Sequence, residues 1–295
     1  MRLFLFLFLF VSSSEIKNCF AQHTVSEDLK FAQYLIDNIQ YRDAIYILKN
    51  KNTQTVTAPT LDSINYYLGW CYYNLRILDS SSIYFGIVKS EPFFQKASFY
   101  KMFSQAYDKK TGEAKTSLSA IPVEKDSSLR KLQNFEFAGI ALLERDYQKY
   151  EERAKKFSFN YFPISVEEKN IGEHYLQLKK IKKKSPALAG LMSAVIPGSG
   201  KMYAGYTGQG IAALFMVGIL GASAAESYYR PFDRSNKKGC KSPEFIAFGS
   251  LFTIFYVGNI WGSALSVKLA REHQYREIDD EILFDMHIPL RRIFN

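Results

Sequence analysis

Apolar residues in the first half of the chain recur every three or four positions, the spacing of one face of an α-helix. This pattern runs from about Val25 to Phe157, and strand-like alternation is rare there. Between about residues 186 and 268 the pattern changes to long apolar runs interrupted by Gly and Pro. The sequence therefore predicts an all-α fold, in which a run of packed helices precedes helices that suit a membrane.

Three apolar segments make up the second region. The first, from Ala187 to Ile196, is too short to span about 30 Å of hydrocarbon, and Pro197 and Gly198 follow it at once. Residues 187–205 are therefore predicted to form an interfacial or re-entrant segment. Residues 211–229 and 245–267 are long enough to span and carry faces of small residues that suit close packing. Two crossings are favoured, and a third through the first segment is the alternative.

The N-terminus has the form of a secretory signal peptide. Arg2 precedes an apolar core of about nine residues, and a polar stretch from Ser12 to Lys17 follows it. Cys19 and Ala21 are then small residues at the −3 and −1 positions of a cleavage point. Residues 1–21 are predicted to be removed, with an uncleaved anchor as the alternative. Lipid attachment at Cys19 is disfavoured, because Lys17 and Asn18 stand where small or apolar residues are needed.

A repeat of about 33 to 37 residues becomes visible when the helical segments are aligned. Its clearest unit contains Leu68-Gly69-Trp70-Cys71-Tyr72, then Ser81, Phe85, Val88 and Pro92. This unit resembles a tetratricopeptide repeat, in which small residues let two antiparallel helices approach closely. Looser units contain Ala32 with Ala44 and Leu48, Met102 and Ala106 with Ala114 and Leu118, and Gly139 and Leu142 with Ala154 and Phe157.

The resemblance implies an α-solenoid over residues 22–160. Stacked helix pairs form a concave surface that commonly binds a peptide or a protein partner. Tyr66, Tyr67, Tyr72 and Tyr73 are candidates for lining such a groove, since Tyr is favoured at interfaces. The alternative is that these rings pack between helices.

The chain has a formal net charge of +9, and its cations recur along the first half and cluster from Lys179 to Lys184 and in the loop from Arg230 to Lys241. Residues 161–185 are predicted to form a charged helical linker that ends in a cluster from Lys179 to Lys184, where anionic lipid head groups would bind. The loop between the spans is also basic, which places it in the cytoplasm by the positive-inside rule. Residues 269–295 are predicted to form a polar tail, and nucleic-acid binding is disfavoured for a membrane-attached chain.

The apolar region carries a specific pattern of small and aromatic residues. Two short motifs about fifty residues apart contain Pro197, Gly198, Gly200, Tyr203 and Gly205, and then Tyr256, Gly258, Asn259, Gly262 and Ser263. This pattern resembles a hairpin domain of bacterial envelope proteins, related to the family named for its two transmembrane helices. The resemblance covers residues 186–268 and implies a membrane hairpin in an organism of the Bacteroidetes type, without implying an activity.

Three polar residues lie at membrane depth or at its edge, namely Lys201, Glu226 and Asn259. Polar groups in a membrane are costly and tend to be functional, so these three form a candidate polar membrane site. For Asn259 a structural role is favoured, in which its amide bonds the other span or caps carbonyls freed by the break at Pro197.

Catalytic and metal-binding patterns are not apparent. The run from Gly198 to Lys201 lacks the first Gly of a phosphate-binding loop and the Ser or Thr after its Lys. Histidines and cysteines do not occur at ligand spacings, and Cys71 is predicted to be a small core residue without a disulfide to Cys240. The chain is accordingly predicted to be non-enzymatic and to use no metal or cofactor.

These observations favour a membrane-anchored adaptor of the bacterial inner membrane. Its helical repeats would lie in the periplasm and bind a protein partner. The expected process is the assembly or export of envelope proteins. The alternative is a subunit of a transport or lipid-handling complex in which the hairpin oligomerises.

Overall fold

The structure, a computed structural model, describes residues 25–50, 57–124, 126–229 and 243–294. Every element of regular secondary structure in these stretches is a helix, which confirms the all-α prediction. The first nine helices are α1 (Val25–Asp37), α2 (Tyr41–Lys49), α3 (Ala58–Asn74), α4 (Leu78–Ile87), α5 (Phe94–Tyr107), α6 (Thr111–Ser119), α7 (Ser127–Leu143), α8 (Tyr147–Ala154) and α9 (Ser165–Lys180). They are followed by α10 (Pro186–Val195), α11 (Ser199–Ala204), α12 (Thr207–Tyr229) and α13 (Pro243–Phe294). The predicted signal peptide, the basic loop between the predicted spans and Cys240 lie outside the described residues.

The chain divides into two compact units. The first unit contains the residues up to Glu168 together with those from Asp285 onward, and the second unit runs from Lys169 to Phe284. This division differs from the one drawn on the sequence in two respects. The predicted linker, residues 161–185, is shared between the units, and the end of the predicted polar tail belongs to the first unit.

In the first unit each helix from α1 to α7 packs on the next one along the chain. The same turn recurs inside four successive helix pairs, with a non-glycine residue in the left-handed region at Ile39, Arg76, Lys109 and Arg145. These residues lie 37, 33 and 36 positions apart. At the first turn the N–H of Gln40 donates to the carbonyl of Leu35 at 2.8 Å, and the other three turns repeat this bond. The turn closes each first helix in the manner of a Schellman motif.

The residues that recur around these turns are small and buried. Ala44, Ser81 and Ala114 hold the same position in the second helix of the first three pairs, and each is 0% exposed. In the second pair the packing is tight enough that a Cβ at Gly69 would lie 2.7 Å from the Phe85 ring. The fourth pair departs from this pattern, because Tyr150 stands at the small position. Cys71 is fully buried, as expected of a core residue, and burial raises the pKa of its thiol to about 12.

In the second unit α10 has ten residues and ends at Val195, just before the Pro-Gly turn. Two helices, α12 and α13, are long and apolar enough to cross a membrane by length and composition. Only 17% and 6% of their most apolar windows are buried, so these surfaces do not face a protein core.

The helix α13 is longer than the predicted span and continues without interruption for 52 residues. The segment from residue 269 to 294 is therefore helical, and it is not a solvated polar tail throughout. Ile278, Ile282, Met286 and Leu290 recur at intervals of four and are at most 9% exposed. Charged residues such as Asp279 and Asp280 between them conceal this apolar stripe in the sequence.

Candidate functional site

Three helices of the first unit contact one short segment near the end of the chain, residues 285–294. Tyr73 on α3 lies 5.8 Å from His287 between ring centroids, and Phe103 on α5 stacks on the same imidazole at 5.1 Å. Phe99 on α5 packs against Phe294 at 5.5 Å. We call Tyr73, Phe99, Phe103 and Gly139 of α7 the docking face, and residues 285–294 the C-terminal segment.

Gly139 makes room for the C-terminal segment on α7. A Cβ at this position would lie 2.5 Å from the sulfur of Met286. Met286 and Leu290 are both 0% exposed, so the apolar side of the segment is fully covered. The segment therefore binds as an amphipathic helix whose anchors are one helical turn apart.

A salt bridge fixes the far end of the C-terminal segment. The Nη1 atom of Arg292 lies 2.9 Å from Oε2 of Glu167, whose side chain is 1% exposed. The same Nη1 donates to the carbonyl of Pro163 at 3.2 Å. Because one partner is buried, this pair is worth more than an exposed one, and it defines the direction in which the segment lies.

Two titratable groups of the first unit are shifted by burial. Burial, with a smaller effect from Arg291, lowers the pKa of His287, so the imidazole is neutral where it stacks on Phe103. Burial also raises the pKa of Glu136, which is 0% exposed on α7 next to the docking face. Neither carboxyl oxygen of Glu136 has a hydrogen-bond partner among the described residues.

The four tyrosines proposed as a groove do not lie together on the docking face. Tyr66 stacks on Phe93 at 4.3 Å, and Tyr67 packs edge-on against the same ring at 5.7 Å. Tyr72 stacks on Tyr84 of α4 at 5.4 Å. These three pack between helices, which was the alternative left open by the sequence, and Tyr73 is the member of the set that contacts the C-terminal segment.

In the second unit the first glycine motif brings backbones into contact. Gly198 has a φ of +86°, and a Cβ there would lie 2.0 Å from the carbonyl oxygen of Gly210. A Cβ at Gly200 would lie 1.9 Å from the carbonyl oxygen of Ala189. Gly205 ends α11 with a φ of +109°. Only glycine fits these positions, and they fold α10, α11 and α12 against one another.

Hydroxyl groups then join this arrangement to α13. The Ser193 and Ser263 hydroxyls lie 2.7 Å apart, and Ser193 also accepts from the N–H of Gly200 at 2.9 Å. Tyr256 donates to the carbonyl of Ala194 at 2.6 Å. The cap of the broken helix is thus supplied by Tyr256. This corrects the role expected of Asn259, whose amide has no hydrogen-bond partner in the described part of the chain.

Asn259 lies in a cavity together with Lys201. Both residues line a space of about 530 Å³ that is bounded by α11, α12 and α13. Gly258 lines the same cavity, while Gly262 lies beneath the Lys201 side chain. Glu226 is exposed and lies nine residues beyond Val217 of this cavity, about 13 Å along α12. The structure therefore brings together two of the three residues of the predicted polar membrane site.

A second cavity in this unit is lined by cations. Lys180, Lys182, Lys184 and Arg271 surround a space of about 410 Å³, without an acidic residue among its described lining. Lys184 donates to the carbonyl of Tyr203 at 2.7 Å, while Lys179 lies over the Tyr175 ring and not in the cavity. Three of the five lysines of the predicted cluster, and an arginine from α13, thus line one space.

Sequence reasoning missed Glu136, Arg271 and the C-terminal segment. Glu136 falls on the apolar stripe of α7, four positions after Leu132, so a charge on a buried face was a signal available in the sequence. Arg271 gave no such signal, because its proximity to the lysines depends on how α13 packs. Comparison with protein-family models, with curated proteins and with solved structures finds no match to this chain.

Proposed function

We propose that the chain is a non-enzymatic membrane-anchored adaptor. The first unit is a tetratricopeptide-like α-solenoid, exported to the periplasm, that binds a helical segment of a protein partner. The second unit is a transmembrane hairpin of the inner membrane that anchors it. The observation that carries this proposal is the amphipathic C-terminal segment held on the docking face.

The anchoring function is supported by α12 and α13. The 23 residues of α12 extend about 35 Å, which matches the thickness of a bilayer core. Large apolar side chains such as Phe215, Ile219, Ile254 and Val257 are more than half exposed on these two helices. In water such surfaces would be costly, whereas in lipid they are solvated.

Anionic lipid is the expected partner of the cationic cavity. Arg271 lies one turn after Val267, the end of the predicted second span, so the cavity is at the level of the head groups. Each cation near an anionic surface contributes about 1 kcal/mol. The cavity would hold a lipid phosphate and fix the depth of the hairpin.

The partner-binding function is supported by the chemistry of the docking face. It offers rings that stack and a glycine gap that takes a flexible thioether. Outside the docking face, the buried carboxylate of Glu167 pairs with Arg292. A partner helix with an apolar residue at every fourth position and a following Arg would meet the same groups. Such a helix would compete with the C-terminal segment, so partner binding and release of this segment are coupled.

The experiment uses a fluorescent peptide of residues 281–294 and the purified full chain in detergent. Met286→Asp combined with Leu290→Asp places two charges in the covered face and releases the segment of the chain itself. We expect the peptide to bind this variant with micromolar affinity or better, because the face is then vacant, and to bind the unaltered chain at least tenfold more weakly. Fluorescence anisotropy measures both affinities.

Phe284→Asp is the matched control, since Phe284 is an apolar residue of the same helix that is 64% exposed. This variant should behave as the unaltered chain does. A peptide that binds all three proteins equally, or none of them, would contradict the proposed helix-binding face.

A second candidate function, a transport or lipid-handling subunit, is favoured by one observation. Asn259 and Lys201 share a cavity within the apolar part of the second unit. Adaptor function requires the docking face and does not depend on this cavity. Asn259→Leu, which alters only the cavity, therefore distinguishes the two functions. A transport subunit would lose function with that variant while it still binds its partner and remains in the membrane.

A further inference from the structure

The cavity that contains Lys201 and Asn259 has one polar end and otherwise apolar walls. Its polar lining residues are Lys201 of α11, Gln209 of α12 and Asn259 of α13. Around them stand Ala212, Ala213, Met216, Val217, Ile254 and Phe255. No acidic side chain is among the described residues of this lining. The space of about 530 Å³ falls within the range of small-molecule sites.

Asn259 is the residue that points to a ligand. It is 5% exposed, and neither its Oδ1 nor its Nδ2 has a hydrogen-bond partner in the described part of the chain. A buried amide without partners is unfavourable and therefore rare in native structures. Asn259 and the neighbouring Gly258 both line the cavity, so the unpartnered amide lies at the cavity wall.

Lys201 supplies a positive charge at the same end. Its Cε would lie 3.7 Å from a Cβ at Gly262, so the aliphatic stem crosses α13 where side-chain bulk is missing. The ammonium carries three donors, and the described residues of the cavity lining include no carboxylate that could pair with it. A ligand that belongs here must therefore be an anion at one end.

We infer that this cavity binds a carboxylate amphiphile, such as a long-chain fatty acid. The carboxylate would accept hydrogen bonds from the Lys201 ammonium and from Nδ2 of Asn259. A second N–H of the ammonium would donate to Oδ1 of Asn259. The acyl chain would lie along Met216, Val217 and Phe255. The inference rests on the proposed membrane placement of α12 and α13, because that placement gives a lipid access to the cavity.

A ligand for this cavity requires both a negative charge and an acyl chain. A small soluble anion would leave the apolar walls unfilled, and a neutral lipid tail would leave Lys201 and Asn259 without partners. We therefore expect neither acetate, which lacks the acyl chain, nor a fatty-acid methyl ester, which lacks the charge, to bind as the fatty acid does.

The test is photolabelling of the full chain in phosphatidylcholine nanodiscs with a diazirine-bearing fatty acid. Mass spectrometry of the digested protein locates the label. We expect it on Met216 or Phe255, and we expect excess oleate, but not methyl oleate or acetate, to lower it about tenfold. Lys201→Met and Asn259→Leu should each lower the label about tenfold, the effect of losing one charge-assisted or buried hydrogen bond.

Lys268→Met is the control, because Lys268 is an exposed cation on α13 outside the cavity lining. It should leave the labelling unchanged. Phe215 and Ile219 serve as internal references, since they are exposed on α12 away from the cavity lining. Label spread evenly over these residues, or label unaffected by oleate and by Lys201→Met, would mean ordinary lipid contact only and would overturn the inference.

Membrane placement is read separately from the same preparation. If the chain is recovered with the nanodiscs and resists carbonate extraction but shows only diffuse label, the inference is wrong and the anchoring function still stands. A chain that carbonate removes from the membrane contradicts the proposed function, and the inference fails with it.

Discussion

Glu136 is the residue of the first unit whose chemistry conflicts most with its surroundings. Its side chain is 0% exposed, and its carboxyl oxygens have no hydrogen-bond partner among the described residues. Burial raises the pKa of this carboxyl well above its usual 4.5, since an ionised carboxylate is poorly solvated inside a protein. The folded chain therefore keeps a proton that the unfolded chain loses.

This difference in proton binding makes the stability of the first unit depend on pH. Above about pH 4.5 the unfolded state releases the proton of Glu136 and the folded state retains it, so the free energy of unfolding falls as pH rises, by up to ~1.4 kcal/mol per pH unit. Glu136→Gln removes that loss. The variant should match the unaltered chain near pH 4.5 and exceed it by roughly 1–3 kcal/mol at pH 7.

Denaturant unfolding in detergent, followed by the fluorescence of Trp70 in a Trp261→Phe background, measures the difference between pH 4.5 and pH 8. Glu152→Gln on α8 is the matched surface control, because Glu152 is exposed, and it should show no such trend. A stability difference for Glu136→Gln that stays constant with pH would show that burial does not hold this proton.

At the scale of elements, the backbones of α10 and α11 lie in close contact on either side of the helix break. A Cβ on Gly200 would meet the carbonyl oxygen of Ala189 at 1.9 Å, and a backbone oxygen cannot rotate away as a side chain can. Gly208, in the first turn of α12, has open space around it. The two glycines therefore have opposite requirements although they are eight positions apart.

We expect Gly200→Ala to separate α10 from α11 at a cost of roughly 3 kcal/mol or more, and Gly208→Ala to be neutral or to stabilise by about 0.5–1 kcal/mol. Limited digestion with trypsin reports local opening, because Lys201 lies inside α11. Cleavage after Lys201 should accelerate at least tenfold in Gly200→Ala and not in Gly208→Ala. Equal cleavage rates in both variants would show that the contact is not tight.

At the scale of the whole molecule, the proposed topology places the first unit and the end of the chain on the same side of the membrane. Two crossings return the chain to the side from which it entered, and residues from Asp285 onward belong to the first unit. A chain with an odd number of crossings could not meet this requirement without unfolding one end.

Protease added to spheroplasts tests this arrangement on the full chain with a tag after Asn295. We expect the tag and the first unit to be attacked together, because the proposed topology places both in the periplasm. Protection of both would place the first unit in the cytoplasm. Protection of the tag alone would indicate a third crossing by the region of α10 and α11. Lysed cells, in which both sides are accessible, are the control.

Helix positions and the repeat spacing were predictable because they depend on local periodicity. The spacing of 33 to 37 residues reappears in the left-handed residues from Ile39 to Arg145, although none of these four is the Gly or Asn that usually marks such a turn. The end of α10 was likewise predictable, since Pro197 and Gly198 stop a helix in any surroundings.

Partners of individual side chains were not predictable, because they depend on which helices meet. Tyr256 and Asn259 are one turn apart on α13. The sequence favoured a structural role for the amide, either a bond to the other span or this cap, yet the phenol reaches the carbonyl of Ala194. Periodicity assigns a residue to a face of a helix, but the relative shift of two helices decides which of two neighbouring polar groups is satisfied.

The sequence by itself determined that the described part of this chain is helical, where its apolar runs lie and where Pro197 and Gly198 end a helix, because these follow from local sterics and hydrophobic spacing. Only the tertiary structure decided that residues 285–294 occupy the docking face, that Arg271 lies with the lysines and that Asn259 lines a cavity with Lys201. Contacts between residues far apart in the chain form when several helices pack at once, and no single stretch of sequence contains that information.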